Sequence, residues 1–183
     1  MKKLLILCLF TTPIYAAKYN LDSKNTAQLL CAMDMLEGEQ MAETEDEKIS
    51  SLYFIDGQAT RKKISYCQEW NLLNRYTSNR KNNLSKLRSS QTYKKNKIGQ
   101  KHIGLVLDFA DNKLKSNAKL EWIKNKATNF LTCKAINVEW AKYVRGYRIV
   151  GKTIYMNVAN KDKGKNLTMW QDIKNLCDKG IIK

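Results

Sequence analysis

The apolar positions of this chain follow two rhythms. Ala27, Leu29, Leu30, Cys31, Met33 and Leu36 return at helical spacing, which predicts a first helix capped by Asp22 or Ser23 and ending near Gly38. Ile49 to Ile55 forms a short apolar segment that Gly57 is expected to break. Thr60 then caps a second long helix through Tyr76, on which Ile64, Cys67 and the series Tyr66, Trp70, Leu73 and Tyr76 face a core. Leu105, Val106, Leu107, Phe109 and Ala110 open another apolar segment. Leu120, Ile123, Ala127, Phe130, Leu131 and Val138 read as the stripe of a long helix that carries Cys133. After Gly146 the period changes to that of a strand. Residues 147–150 and 153–158 flank the two-residue turn Gly151-Lys152, which predicts a β-hairpin. Asn160 to Lys165 is a polar turn. Thr168 with Gln171 makes a capping box for a last helix bearing Met169, Ile173, Leu176 and Cys177, and Gly180 stops it. The expected fold is mainly α with a small β-hairpin near the C-terminus, an α+β class.

The first sixteen residues set the compartment. Lys2 and Lys3 precede the apolar run Leu4 to Phe10, Pro13 breaks it, and Tyr15-Ala16-Ala17 offers a small-residue cleavage site. This is the pattern of a secretory signal peptide cut after Ala16, and the run is too short to span about 30 Å of hydrocarbon. Residues 17–183 are then expected to form one secreted, periplasmic helical domain, without proline, linker or internal repeat. Cys31, Cys67, Cys133 and Cys177 remain after removal of Cys8, an even number in an oxidising setting. Two disulfides are expected, with Cys31–Cys67 and Cys133–Cys177 preferred over the other connectivities because each closes the shorter loop. The fold is thus a disulfide-pinned helical domain.

The charge is +16, and it is unevenly spread. Glu37, Glu39, Glu43, Glu45, Asp46 and Glu47 crowd one short stretch, expected to be a solvated helix face or loop. Residues 70–107 hold no Asp or Glu at all. Within them, Arg80, Lys81, Lys86, Arg88, Lys94, Lys95 and Lys97 are the expected anion-contact patch, suited to membrane headgroups, DNA in transit or an acidic protein, with a solvated loop or helix face as the alternative.

Residues 146–153, Gly-Tyr-Arg-Ile-Val-Gly-Lys-Thr, match the pattern GxxxxGK[ST] of a phosphate-binding loop. That chemistry needs a strand before the loop and a helix after it, so that amide groups and a helix N-terminus hold the phosphates. A strand-forming run follows here, and no nucleotide is expected. His102 is the sole histidine, which excludes a multi-histidine metal site, and there is no GxSxG. Glu69, Glu121 and Glu139 lie on expected helices, and a lone glutamate can act as a general acid on a glycan. No sequence feature puts any of them in a cleft. No catalytic residue, metal or cofactor is expected.

Leu29-Leu30-Cys31, then Leu36-Glu37-Gly38, then Leu52-Tyr53-Phe54-Ile55, and finally Thr60-Arg61 with Cys67 six residues on, form an ordered series. It resembles the N-terminal module of the TrbM/KikA/MpfK family of conjugal-transfer proteins, over about residues 29–67. The chain departs from that pattern in having Gln68 after the second cysteine and the acidic run after Gly38, and residues 80–183 lie outside it. The resemblance implies a non-catalytic periplasmic accessory or structural protein of a conjugative, type IV-like transfer apparatus with envelope protein partners. A periplasmic inhibitor or immunity protein against a secreted toxin shares the same size, address and disulfides. A peptidoglycan-acting hydrolase is the third reading.

Overall fold

The computed structural model describes residues 21, 24–39, 44–74 and 97–182. Its elements are α1 (Thr26–Glu39), α2 (Glu45–Lys62), α3 (Tyr66–Asn74), α4 (Lys97–Ala110), α5 (Ala118–Lys126), β1 (Asn129–Thr132), β2 (Val144–Val150), β3 (Thr153–Val158) and α6 (Leu167–Asp178). Three short 3-10 turns, Cys133–Ala135, Glu139–Tyr143 and Lys161–Lys163, join the later ones. The fold is mainly helical with one small antiparallel sheet of order β1-β3-β2.

The sheet is the middle layer. Strand side chains alternate between faces, and β3 is buried on both. Tyr155 joins Phe54 of α2 in the first core, which α1 to α5 build with Leu36, Leu52, Tyr66, Trp70, Val106 and Ile123, and the exposed Phe130 of β1 lays its ring against both Tyr155 and Phe54. Ile154 and Met156 point the other way, into a second core with Leu131, Val144 and Ile173 of α6. The registers agree, since Phe130 pairs with Tyr155 and both Leu131 and Ile149 pair with Ile154. Each core carries one disulfide. Cys31–Cys67 ties α1 to α3, and Cys133–Cys177 ties the end of β1 to α6, both with Cα atoms 5.5 Å apart. That is the mid-range of disulfide geometry, and the connectivity is the one preferred from loop length.

Helix α2 is the hub, and it overturns two expectations. Gly57 does not break it, and Thr60 does not start a new helix; both lie inside Glu45–Lys62. Residues 50–59 are all buried, polar ones included, because α3, α4, α5 and β2 surround the helix. A helix buried all round shows no amphipathic stripe. Gly57 is there for close approach: a Cβ at that position would overlap the Lys124 carbonyl group. The helix ends at Lys63, which takes the left-handed conformation, φ 55°. After that turn α3 starts at Tyr66, so the long helix 60–76 is in fact two helices.

The same helix corrects the reading of the acidic run. Glu45 and Asp46 are exposed in its first turn, where the helix dipole favours them. Glu47 is only 2% exposed. It forms a reciprocal capping box with Thr44, whose backbone N–H donates to Glu47 Oε2 at 3.1 Å. Its Oε1 accepts the Lys152 N–H at 2.8 Å, in the hairpin turn of the sheet.

The expected long helix over 120–138 is the largest misreading. Helix α5 ends at Lys126, and Asn129–Thr132 extends as β1 against β3, making the hairpin a three-stranded sheet. Cys133 sits in a 3-10 turn rather than on a helix. The hairpin itself has the expected turn, with Val150 opposite Thr153. At the ends of the chain, Asp22 and Ser23 lie outside the described residues, and the Asn25 side chain accepts the Gln28 N–H ahead of α1. The last helix is capped by Asn166, which accepts from the Met169 N–H, and not by Thr168 with Gln171. Gly180, at φ 66°, closes it as expected.

Candidate functional site

Helix α2 and helix α5 meet through polar side chains as much as apolar ones. The last carbonyls of a helix lack intrahelical donors, and α2 supplies them. Arg61 donates to the carbonyls of Lys124 and Ala127, and Gln58 Nε2 donates to those of Ala127 and Thr128. Asp56 Oδ2 pairs with Lys124 Nζ at 2.8 Å, the carboxylate side chain being 3% exposed. Arg61 pays for this docking in part: burial lowers its pKa, while the charge of Glu69 raises it.

Beside this junction lies a pocket of about 280 Å³. Tyr53 and Asp56, one turn apart on α2, form one side. Glu121 and Lys124, one turn apart on α5, form another. Phe109 and Ala110 close the end from α4, and Asn112, Leu114 and Ser116 come from the loop that leads to α5. Asn112 turns that loop with φ 58°, and its N–H bonds the Phe109 carbonyl. Tyr53 and Phe109 meet edge to face, ring centres 5.0 Å apart.

The charges of the pocket are unequal. Lys124 is engaged by Asp56. Glu121 has neutral donors, Ser116 Oγ at 2.5 Å and Asn125 Nδ2 at 3.2 Å. Two carboxylates therefore face one ammonium, and Asp56 Oδ1 is buried without a hydrogen-bond partner. The hydroxyl of Tyr66 is pushed well above its ordinary pKa, first by burial and then by the negative charge of Asp56. Nothing in the sequence marked this site. Tyr53 belongs to the apolar segment 49–55 and Asp56 falls between it and the expected break at Gly57, and only the pairing of α2 with α5 joins them to Glu121 and Lys124.

The other sequence candidates separate clearly. Of the three glutamates, Glu69 is fully buried and held by Lys62 Nζ at 2.7 Å, a structural pair. Glu139 is exposed between Lys142 and Lys165, whose hydrogen bonds lower its pKa to about 2. Only Glu121 lines the pocket. His102 is buried on α4. Gly146 to Thr153 runs strand, turn, strand, with no helix after the lysine, and the Lys152 N–H that a phosphate nest would use is bonded to Glu47.

Of the expected anion patch, Arg80, Lys81, Lys86, Arg88, Lys94 and Lys95 lie outside the described residues, and of Lys97 only the backbone, at the start of α4, is described. The chain has a second basic stretch. Residues 113–165 hold thirteen Lys and Arg against three acids, Glu121, Glu139 and Asp162. Arg148 lies over the Trp122 ring at 4.8 Å, Lys142 over Trp170 at 5.7 Å, and Arg145 donates to the carbonyls of Lys163 and Gly164. Its signal in the sequence is the charge count, spread over helix and strand segments.

Among the described residues no group of His, Cys, Asp and Glu could hold a metal ion, and no helix is long and apolar enough to cross a membrane. The two disulfides are compatible with an extracytoplasmic compartment. Comparison of the chain with protein-family models, curated proteins and solved structures finds no match.

Proposed function

We propose that this chain is an exported, non-catalytic accessory or structural protein of a conjugative, type IV-like transfer apparatus, acting in the periplasm through protein contacts. One observation carries the reading. The residues of the segment that resembles the conjugal-transfer family share one body of the fold. Cys31 and Cys67 are bonded, Leu36, Leu52, Tyr53, Phe54 and Ile55 are buried in one core, and Arg61 docks α2 on α5. The two disulfides support an oxidising compartment, and the basic stretch 113–165 supports contact with an anionic partner surface.

The test is genetic and biochemical together. Removing the gene from its native host should lower plasmid transfer, and the wild-type chain supplied in trans should restore it. The protein should fractionate with the periplasm and co-purify with mating-pair proteins. Transfer at the parental level in the deleted strain overturns the reading. Loss of survival in the presence of a secreted toxin, with transfer intact, would favour an inhibitor or immunity protein instead.

A further inference from the structure

We propose that the pocket between α2, α4 and α5 binds a primary ammonium group carried on a short aliphatic stem, as in a lysine side chain or a small alkyl amine. The inference is independent of the transfer-apparatus reading. It begins with charge. The chain as a whole is strongly basic, yet among the described residues this pocket is lined by Asp56 and Glu121 against one cation, Lys124. Lys124 is committed to Asp56 at 2.8 Å, so an incoming carboxylate has no uncompensated cation to meet. Glu121 is held by two neutral donors, Ser116 and Asn125, which orient it without cancelling its charge. A cation is the complement that the lining lacks.

Size and shape narrow the cation. A volume of about 280 Å³ is at the small end for ligand pockets. It has space for roughly nine waters, taking about 30 Å³ for each. A guanidinium binds best to a carboxylate whose two oxygens accept in parallel, and here Ser116 and Asn125 each already occupy one Glu121 oxygen. An ammonium is a compact charge with three rotatable donors, and it needs only one open lone pair on Glu121. The mainly polar lining also holds apolar groups. Leu114, Ala110 and the edge-to-face rings of Tyr53 and Phe109 suit methylene groups behind the charge.

The experiment is an NMR titration of the oxidised, full mature chain with n-pentylamine, 1-pentanol and pentanoate at matched ionic strength and pH. Pentylamine should produce saturable shifts at Tyr53, Phe109, Asn112 and Leu114, and the alcohol and acid should bind about tenfold more weakly or worse. Glu121→Gln keeps the side chain's shape on an exposed helix face and should weaken pentylamine binding about tenfold at unchanged melting temperature. Leu114→Trp, which fills the pocket and leaves Glu121 in place, should abolish the shifts. Nα-acetyl-lysine methylamide binding as well as pentylamine identifies a partner's lysine as the source. Binding of pentylamine alone identifies a small free amine. Equal binding of pentanol, preference for pentanoate, or an unaltered affinity in Glu121→Gln with either probe overturns the proposal.

Discussion

The Glu47 carboxylate on α2 accepts the backbone N–H of Lys152, 105 residues away, while closing the capping box with Thr44 at its own helix start. One side chain thus fixes both the first turn of the hub helix and the turn of the hairpin. Glu47→Ala leaves the Lys152 N–H and the Thr44 N–H without this acceptor in a part-buried setting, and is expected to destabilise the protein by about 1–3 kcal/mol. Glu47→Gln keeps an acceptor oxygen and should lose less. Urea denaturation of the two variants checks the order. Because the bond uses the backbone, Lys152→Ala should keep it and should show no change in ATP affinity. A measurable loss of ATP binding in that variant would restore the phosphate-loop reading.

At Gly57 the contact is backbone against backbone. An added Cβ would overlap the Lys124 carbonyl group, which has no flexible end to move aside. Gly57→Ala should therefore cost about 3 kcal/mol or more, although alanine favours an isolated helix. Thermal denaturation distinguishes the outcomes, since a stabilised Gly57→Ala variant would mean that α2 and α5 do not approach as described.

The two disulfides serve different cores. Replacing Cys133 and Cys177 with serine should loosen α6 and the second core, lowering stability by roughly 2–4 kcal/mol. Amide exchange should rise first at Ile173 and its neighbours, with α2 still protected. The Cys31→Ser, Cys67→Ser pair should show the opposite pattern, with exchange rising at α1 and α3. Uniform exchange in both variants would show that the two cores unfold as one.

Glu139 carries a pH signature. Hydrogen bonds from Lys142 and then Lys165 hold its carboxylate at a pKa of about 2 in the folded chain, against an ordinary value of 4.5. A lowered carboxylate pKa means stability that is present above the ordinary value and is lost as pH falls through the folded one. The stability gap between the wild type and Glu139→Gln should shrink as the pH drops from about 4.5 toward about 2. A carboxyl resonance titrating near 4.5 would show that the two lysines do not hold it in solution. The group is fully exposed, so the effect should be small and sensitive to salt.

How much of this could be read from residues alone depended on how local each cause was. The hairpin was legible because Gly151-Lys152 and the flanking strand formers are adjacent. The cysteine pairing was legible because short loops close most readily. β1 was hidden because Ile123, Ala127, Phe130 and Leu131 keep helical spacing by coincidence across a helix end, and the strand has only four residues. Helix α2 was hidden because burial on every side erases the stripe that marks a helix. Glu47 belonged to an acidic run whose adjacent members, Glu45 and Asp46, are exposed, and its burial depends on a turn 105 residues on. The pattern Thr44-x-x-Glu47 was the one local clue to it. The pocket had none, since two i, i+3 pairs on separate helices become a site only when Gly57 lets those helices touch.

The bonding of Cys31 to Cys67 and of Cys133 to Cys177, each to the next cysteine along the chain, bears on how the chain acquires its bonds. In a chain delivered N-terminus first to an oxidising compartment, Cys67 is the next thiol to emerge after Cys31, and each later pair forms in the same way. Correct bonds are then the ones made by simple order of arrival, and no wrongly joined pair has to be undone. Oxidation of the chain should need a thiol oxidant but not a disulfide isomerase. Equal yields of native, twice-bridged protein in cells with and without isomerase activity are the expected outcome, and a yield that collapses without the isomerase would show that arrival order is not what selects the pairs.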